Sequence, residues 1–326
     1  MRSVFMKTPE TIPIAAERRK FRHKLLRWCD RSRRQLPWRA DRNPYHIWIS
    51  EIMLQQTRVA VVSERYPKFL ARFPNVKRLA AAKPQEVLAA WSGLGYYRRA
   101  RALHAAARQI IQHGAGFPRT AQEWAALPGI GRYTAAAVAS IAFGQPCAVV
   151  DGNVERVLAR LFRVPKKNVW RVAKELLDQR RPGDFNQAMM ELGATVCLPQ
   201  APLCDDCPVF AWCQTRGVGA PSPRSLRHKK KVAYRLAVRN HAVFLVQREN
   251  RARLMAGMWE LPQSQAGVGV PAFRLRHAIT DTDYQVSVYH AGTANGRRGR
   301  WVKLSEVQRL PLTGLTQKIL RRSNLI

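Results

Sequence analysis

Apolar positions repeat at helical spacing over the first two thirds of the chain and alternate at strand spacing in the last third. From Ala16 to Asp30 a basic segment carries an apolar stripe at Phe21, Leu25, Leu26 and Trp28. Leu36-Pro37-Trp38-Arg39 stops it, and a loop over 40–45 leads into the apolar run from Ile47 to Thr57. Ser50 there reads as an N-cap or early-turn residue, which puts Glu51 close to a helix start. Helical patterning returns at Ser63–Arg72, Pro84–Trp91, Arg98–His113, Gly152–Leu161, Val169–Gln179 and Phe185–Val196, with a small-residue helix over Ala135–Ala142. No convincing strand precedes the region around residue 197, so this part is expected to be all-α. Gly, Pro and Ser dominate 217–225, and Arg227-His228-Lys229-Lys230-Lys231 follows, so 217–231 reads as a linker. Beyond it, Ala233–Arg239, Ala242–Gln247 and Tyr284–Tyr289 carry strand patterns, and Leu315–Arg322 a final helix. The expected organisation is an unstructured 1–15, a helical domain over 16–216, the linker, and an α+β domain over 232–326.

Charge narrows the partner. The 326 residues include 56 Lys and Arg against 21 Asp and Glu, a formal charge of +35. Such a field draws polyanions. The basic residues are interleaved with Trp, Tyr, Gly and Gln, which favours nucleic acid over an anionic membrane. No apolar run approaches the length of a spanning helix, and Met1–Ala16 has no continuous apolar core for a secretion signal. The chain is therefore expected in the cytoplasm, with no membrane partner.

Three stretches carry chemistry. In Leu127-Pro128-Gly129-Ile130-Gly131-Arg132-Tyr133-Thr134 the two glycines allow backbone angles closed to other residues, so N–H groups converge at the next helix start, where a phosphate binds well. Ala148-Val149-Val150 then delivers Asp151, a semi-buried acid. Glu51 sits among Trp48, Ile49, Ile52 and Leu54, where burial raises a carboxyl pKa and keeps a proton available near neutrality. The loop Ser92–Arg99, with Gly93, Gly95, Tyr96 and Arg98, suits close approach to a nucleic-acid backbone. Of six cysteines, Cys29 and Cys147 read as packing residues. Cys197, Cys204, Cys207 and Cys213 are clustered as one metal centre, and their spacing alone leaves zinc and iron–sulfur open.

Together these motifs resemble the A/G-specific adenine DNA glycosylases (MutY), within the helix-hairpin-helix superfamily that includes endonuclease III. The matching pieces are Leu36–Arg39, Ser50–Thr57, Gly93–Tyr97, Leu127–Thr134, Asp151–Val154, Phe185–Met190 and the four cysteines. The resemblance implies a multi-domain protein. An all-α helix-hairpin-helix glycosylase domain has its active site in a cleft between two helical modules and a [4Fe–4S] cluster on the cysteines. An α+β MutT/Nudix-like domain that reads 8-oxoguanine follows it. Glu51 then matches the acid that protonates adenine N7, Asp151 the acid that stabilises the oxocarbenium-like sugar, and Tyr133 and Asn153 supporting residues. Gln56 and Tyr96 would fill the gap left in the stack, and Arg39 and Gln187 would hold the extruded adenine, while Gly129 and Gly131 face phosphate. The implied partner is duplex DNA carrying 8-oxoguanine:A or G:A, bound by a monomer on the bacterial nucleoid. Endonuclease III-like lyases place a Schiff-base lysine where this chain has Tyr133, so a monofunctional enzyme is expected. A bifunctional glycosylase/lyase and a non-catalytic damage-binding protein are the alternatives.

The last domain departs from the family pattern. Met258-Trp259-Glu260-Leu261-Pro262 resembles the start of the MutT-like fold, but no Glu-rich metal motif follows, which argues against nucleotide hydrolysis. Where well-known members carry Phe-Ser-His, this chain has Ile279-Thr280-Asp281. Thr280 keeps a hydroxyl for the lesion, and Asp281 replaces a donor by an anion.

Overall fold

A computed structural model describes residues 14–114, 116–217, 227–249, 251–252, 254–264, 269–279, 281–292 and 299–326. Eleven of its α-helices come first: α1 (Ala15–Ser32), α2 (Pro44–Leu54), α3 (Val59–Arg72), α4 (Val76–Ala81), α5 (Pro84–Ala90), α6 (Arg98–His113), α7 (Ala121–Ala125), α8 (Arg132–Phe143), α9 (Gly152–Phe162), α10 (Val169–Leu176) and α11 (Pro182–Thr195). Strands β1 (His228–Leu236), β2 (Val238–Arg239), β3 (Ala242–Gln247), β4 (Trp259–Glu260), β5 (Gln263–Ser264), β6 (Phe273–Ile279), β7 (Thr282–His290) and β8 (Gly299–Lys303) follow, then α12 (Leu304–Val307) and α13 (Gly314–Arg322). Among the described residues no helix is long and apolar enough to cross a membrane.

Contacts divide the chain into two compact units that differ from the expected 16–216 and 232–326 division. One comprises 1–55 with 109–222, and the other 56–108 with 223–326. The helical segment 56–108 joins the strands because Ser92, Tyr97 and Arg101 hydrogen-bond to residues 256–317.

The first unit is built around α8, whose residues from Thr134 to Ile141 are all buried. Its alanines let α2, α7 and α11 close on it from several sides. Two glycines bring α11 still nearer to its neighbours. A Cβ at Gly183 would lie 2.5 Å from the Ser140 carbonyl oxygen, and one at Gly193 would lie 2.6 Å from Asn153 Cβ. A second cluster packs Phe21 and Leu25 of α1 against Leu158 and Phe162 of α9 and Phe185 and Leu192 of α11. It buries most of the apolar face that the α1 stripe announces, with Trp28 partly buried at its edge.

In the second unit one sheet has the order β5-β1-β7-β6, with β1 parallel to β7 and the other pairs antiparallel. The other sheet has β3 between β2, β4 and β8. Tyr234, Val243, Leu245, Val286 and Val288 form its core with Ile319 and Leu320 of α13. The basic run expected to close the linker is not linker: His228–Lys231 is the first half of β1, hydrogen-bonded along β7 from Thr282 to Gln285. The neighbouring ladder outweighs the low strand propensity of lysine. The remaining linker residues 218–226, the N-terminal 1–13 and Thr280 lie outside the described residues.

Candidate active site

Asn43 and Pro44, not Ser50, start the helix that carries Glu51. The Asn43 side chain accepts from the Tyr45 amide at 2.9 Å and Pro44 occupies the first helical position. Glu51 therefore stands in the last turn of α2, and Ser50 is mid-helix, its hydroxyl donating back to the Ile47 carbonyl. The Asn-Pro start signal was present in the sequence, and the apolar run beginning at Ile47 obscured it.

This placement buries Glu51, which is 6 % exposed. The Tyr133 hydroxyl, one residue into α8, donates to Glu51 Oε2 at 2.7 Å and lies 3.4 Å from Met190 Sδ. Burial pushes the Glu51 carboxyl up to about 7, the nearby Asp151 charge adds to the rise, and the Tyr133 hydrogen bond and Arg39 oppose it. Burial, reinforced by the two carboxylates, also drives the Tyr133 phenol well above its ordinary value. Tyr133 is thus a hydroxyl donor at every working pH. Gln55 Nε2, just past α2, donates to Thr134 Oγ1 at 2.9 Å and ties the two helix ends together.

Asp151 caps α9. Its Oδ1 accepts from the Val154 amide at 2.8 Å and its Oδ2 from Asn153 Nδ2 at 2.9 Å. Asn153 is held in turn by Arg156 Nη2 on its Oδ1 at 2.9 Å. The extended approach to Asp151 is fixed by Asn186, a residue the motif reading gave no role. Its amide bridges Ser140 Oγ, the Cys147 carbonyl and the Val149 amide at 2.9, 2.9 and 3.1 Å. One α11 side chain thereby anchors both α8 and the segment delivering the acid. A buried Asn reads from sequence only as a polar residue in an apolar helix face, which is the signal that was available.

Arg39 is held by a buried carboxylate. Glu191, 1 % exposed, accepts from Arg34 at 2.7 and 2.8 Å and from Arg39 Nη2 at 2.8 Å. Burial alone would raise the Glu191 carboxyl, yet the two guanidiniums hold it down at about 2. Arg39 is committed to that ion pair. It still lines one polar cavity with Gln187, Trp38 and Asp184.

The hairpin turn needs only one of its glycines for its angles. Gly129 has φ +73°, but Gly131, the N-cap of α8, has φ −87°, open to any residue. A Cβ at Gly131 would meet nothing within 4 Å. The bare Cα there keeps the amides at the start of α8 approachable. Gln56 and Tyr96, in the other unit, share a local feature: φ +55° and +46°, the left-handed region that non-glycine residues rarely adopt.

The four clustered cysteines line one small cavity with Val157, Leu161 and Leu192. Among the described residues no three or more His, Cys, Asp or Glu side chains draw together as ligands of a metal ion. The donor set nevertheless suits a larger thiolate-bound group. Burial pushes the Cys207 thiol up to about 11, so it stays protonated until a cation replaces the proton. A Cβ at Gly217 would crowd Cys204 Sγ at 3.3 Å, and Arg160 Nη1 lies 3.5 Å from Cys197 Sγ.

Residues 49–181 match the family model described as HhH-GPD superfamily base excision DNA repair protein. The human protein named adenine DNA glycosylase is 48% identical over 219 residues, covering 62% of this chain and 40% of that protein. The adenine DNA glycosylase of Buchnera aphidicola subsp. Baizongia pistaciae is 39% identical over 203 residues, covering 60% of this chain and 58% of that one. The chain thus spans about half the length of these relatives. A thermostable thymine-DNA glycosylase structure is 31% identical, with TM-score 0.57, covering 62% of this chain and 97% of that one. A non-covalent endonuclease III–DNA complex, 24% identical with TM-score 0.54 over 63% and 97% of the chains, shares the fold.

Proposed function

Because this chain belongs to the HhH-GPD superfamily of base excision DNA repair proteins, we propose that it hydrolyses the N-glycosidic bond of adenine mispaired with 8-oxoguanine or guanine in duplex DNA. The observation that carries the reading is Glu51, buried and titrating at about 7, within the field of Asp151. Two carboxyls are needed in opposite states, one holding a proton and one ionised, as in glycoside hydrolysis. The relatives' name, adenine DNA glycosylase, supports the choice of base.

Glu51 gives its proton to adenine N7, and the C1′–N9 electron pair leaves with the base. Positive charge develops on the sugar, and the Asp151 carboxylate, oriented by Asn153 and the Val154 amide, stabilises it. Water, positioned with the help of Glu51 and the Tyr133 hydroxyl, completes the hydrolysis and leaves an abasic site. With no lysine amine at position 133, no imine forms with the sugar there. Gln56 and Tyr96 would fill the vacated stack, and Gln187 would face the extruded base with Arg39 at the rim. The amides beyond Gly129 and Gly131 would take a backbone phosphate. Cys197, Cys204, Cys207 and Cys213 would hold a [4Fe–4S] cluster, which orders the loop that closes this unit. The strand-rich region would act as a MutT/Nudix-like lesion reader, with Thr280 as its hydroxyl. The protein would work as a monomer in the bacterial cytoplasm.

Single-turnover excision on an 8-oxoguanine:A and a G:A duplex, with base treatment to reveal abasic sites, tests this. Adenine loss on both, faster on the oxidised duplex, is expected. Absence of excision on either overturns the activity, and a strong borohydride-trapped adduct overturns the monofunctional mechanism.

A further inference from the structure

The loop from Ser92 to Tyr97 is held in an unfavourable shape. Gly93, Gly95 and Tyr96 all have positive φ, at 92°, 70° and 46°. For tyrosine this costs energy, and such a conformation persists only where its surroundings over-determine it. Part of the restraint is local. Trp91 Nε1 donates to the Gly95 carbonyl at 3.1 Å, and Arg99 Nη2 donates to the Leu94 carbonyl at 2.9 Å and to Thr57 Oγ1 at 3.0 Å. The Arg99 guanidinium also stacks 5.4 Å from the Tyr96 ring centroid.

The rest comes from more than two hundred residues away in sequence. The Tyr97 hydroxyl donates to the Leu312 carbonyl at 3.3 Å, and Ser92 Oγ reaches the same oxygen at 3.5 Å. Gln317 Nε2 donates to Ser92 Oγ. Leu312 and Gln317 are themselves held by hydrogen bonds. Thr313 caps α13 through the Thr316 amide, and Leu312 bridges Trp259 of β4. Both ends of the strained loop are therefore fastened to one point on the strand-rich region.

We propose that the start of α13 is a positioning element for the DNA-facing loop: Gln317 and the Leu312 carbonyl, through Ser92 and Tyr97, hold Tyr96 in its insertion geometry. This rests on the reading above that Tyr96 enters the base stack. It adds a second duty to the strand-rich region, which then affects excision opposite any partner base and not only opposite a lesion. Removing the fastening slows insertion equally on oxidised and unoxidised duplexes and leaves the chemistry at Glu51 as it was.

The test compares wild type with Gln317→Ala and Tyr97→Phe, and with Ser92→Thr as the conservative variant that keeps a hydroxyl. Hydrogen exchange of the free proteins is read across 94–99, with α3 as internal reference. Each disrupting variant should raise exchange in 94–99 by about fivefold, the change one ordinary hydrogen bond makes, while α3 stays unaltered and Ser92→Thr stays near wild type. Single-turnover excision should fall by a similar factor on both duplexes with the pH profile unmoved. Exchange unchanged in 94–99, or raised throughout the unit, overturns the proposal, as does a loss confined to the oxidised duplex. If wild type excises neither duplex, the functional reading fails, and the exchange experiment still decides whether α13 restrains the loop.

Discussion

Replacing Glu51 by glutamine should make the protein more stable and chemically inert. Folding takes this carboxyl from an ordinary value of 4.5 to about 7, chiefly by burial. A carboxyl raised in this way opposes folding once ionised. The cost is negligible below pH 4.5, grows as pH rises, and reaches its full size above about 7. A shift of that size corresponds to about 3 kcal/mol at pH 8, about 2 at pH 6 and under about 1 at pH 5. The amide of the Glu51→Gln variant carries no charge to desolvate, and its carbonyl oxygen can still accept from Tyr133. The difference in melting temperature between variant and wild type should therefore widen from about 2 °C at pH 5 to roughly 6 °C or more at pH 8. Common contributions from other groups cancel in that difference. Thermal melts of both proteins across this range provide the assay, with duplex affinity and base excision measured alongside. Affinity should persist and excision should vanish. Parallel melting curves, or a variant less stable at pH 8, would refute the assignment of a buried, protonated Glu51.

Wild-type excision should decline as pH rises through about 7, the value at which Glu51 gives up its proton, and a flat profile to pH 9 would contradict this. Tyr133→Phe removes a hydrogen bond that favours the ionised carboxylate, so the alkaline limb of the pH–rate profile should move upward, and kcat should fall about tenfold or more. Glu191→Ala leaves Arg39, its side chain 13% exposed, without its carboxylate and should cost about 3–5 kcal/mol in urea unfolding. The Glu191 contribution, set by a value near 2 against 4.5 unfolded, should hold above pH 4.5 and fade only as pH drops toward 2. Cys207→Ser should purify with little or no iron by chemical analysis and visible absorbance, whereas full iron content would remove Cys207 from the cluster.

The pattern of apolar positions located most helices because amphipathic period is a local property. β3 begins and ends where the Val-rich run does, and α6 likewise matches its expected span. Short elements escaped: α4 and α7 are each under two turns and bury only Val76 and Leu79, or Trp124. β6 and β8 escaped because they mix arginine with apolar residues, and only pairing with β7 and β3 makes them strands. At the site, sequence motifs pointed to Glu51, Tyr133, Asp151 and Asn153, and the hydrogen bonds join them in two pairs. Glu191 and Asn186 were not legible in that sense. Their importance lies in partners over 30 residues away in sequence, and no local spacing announces such a pairing.

The two glycines of α11 have a genetic corollary. Every single-base missense change of a glycine codon adds a Cβ, and at Gly183 and Gly193 that atom would fall within 2.6 Å of the backbone of α8 or the side-chain root of Asn153. Neither neighbour is the end of a flexible side chain that could swing aside. These codons consequently have no mild alleles. Even alanine, harmless at most helical sites, would push α11 off the helix bearing Tyr133 or the residue orienting Asp151. A mutational survey should find both positions as intolerant as the acids themselves, although neither glycine has a side chain to contribute to the chemistry.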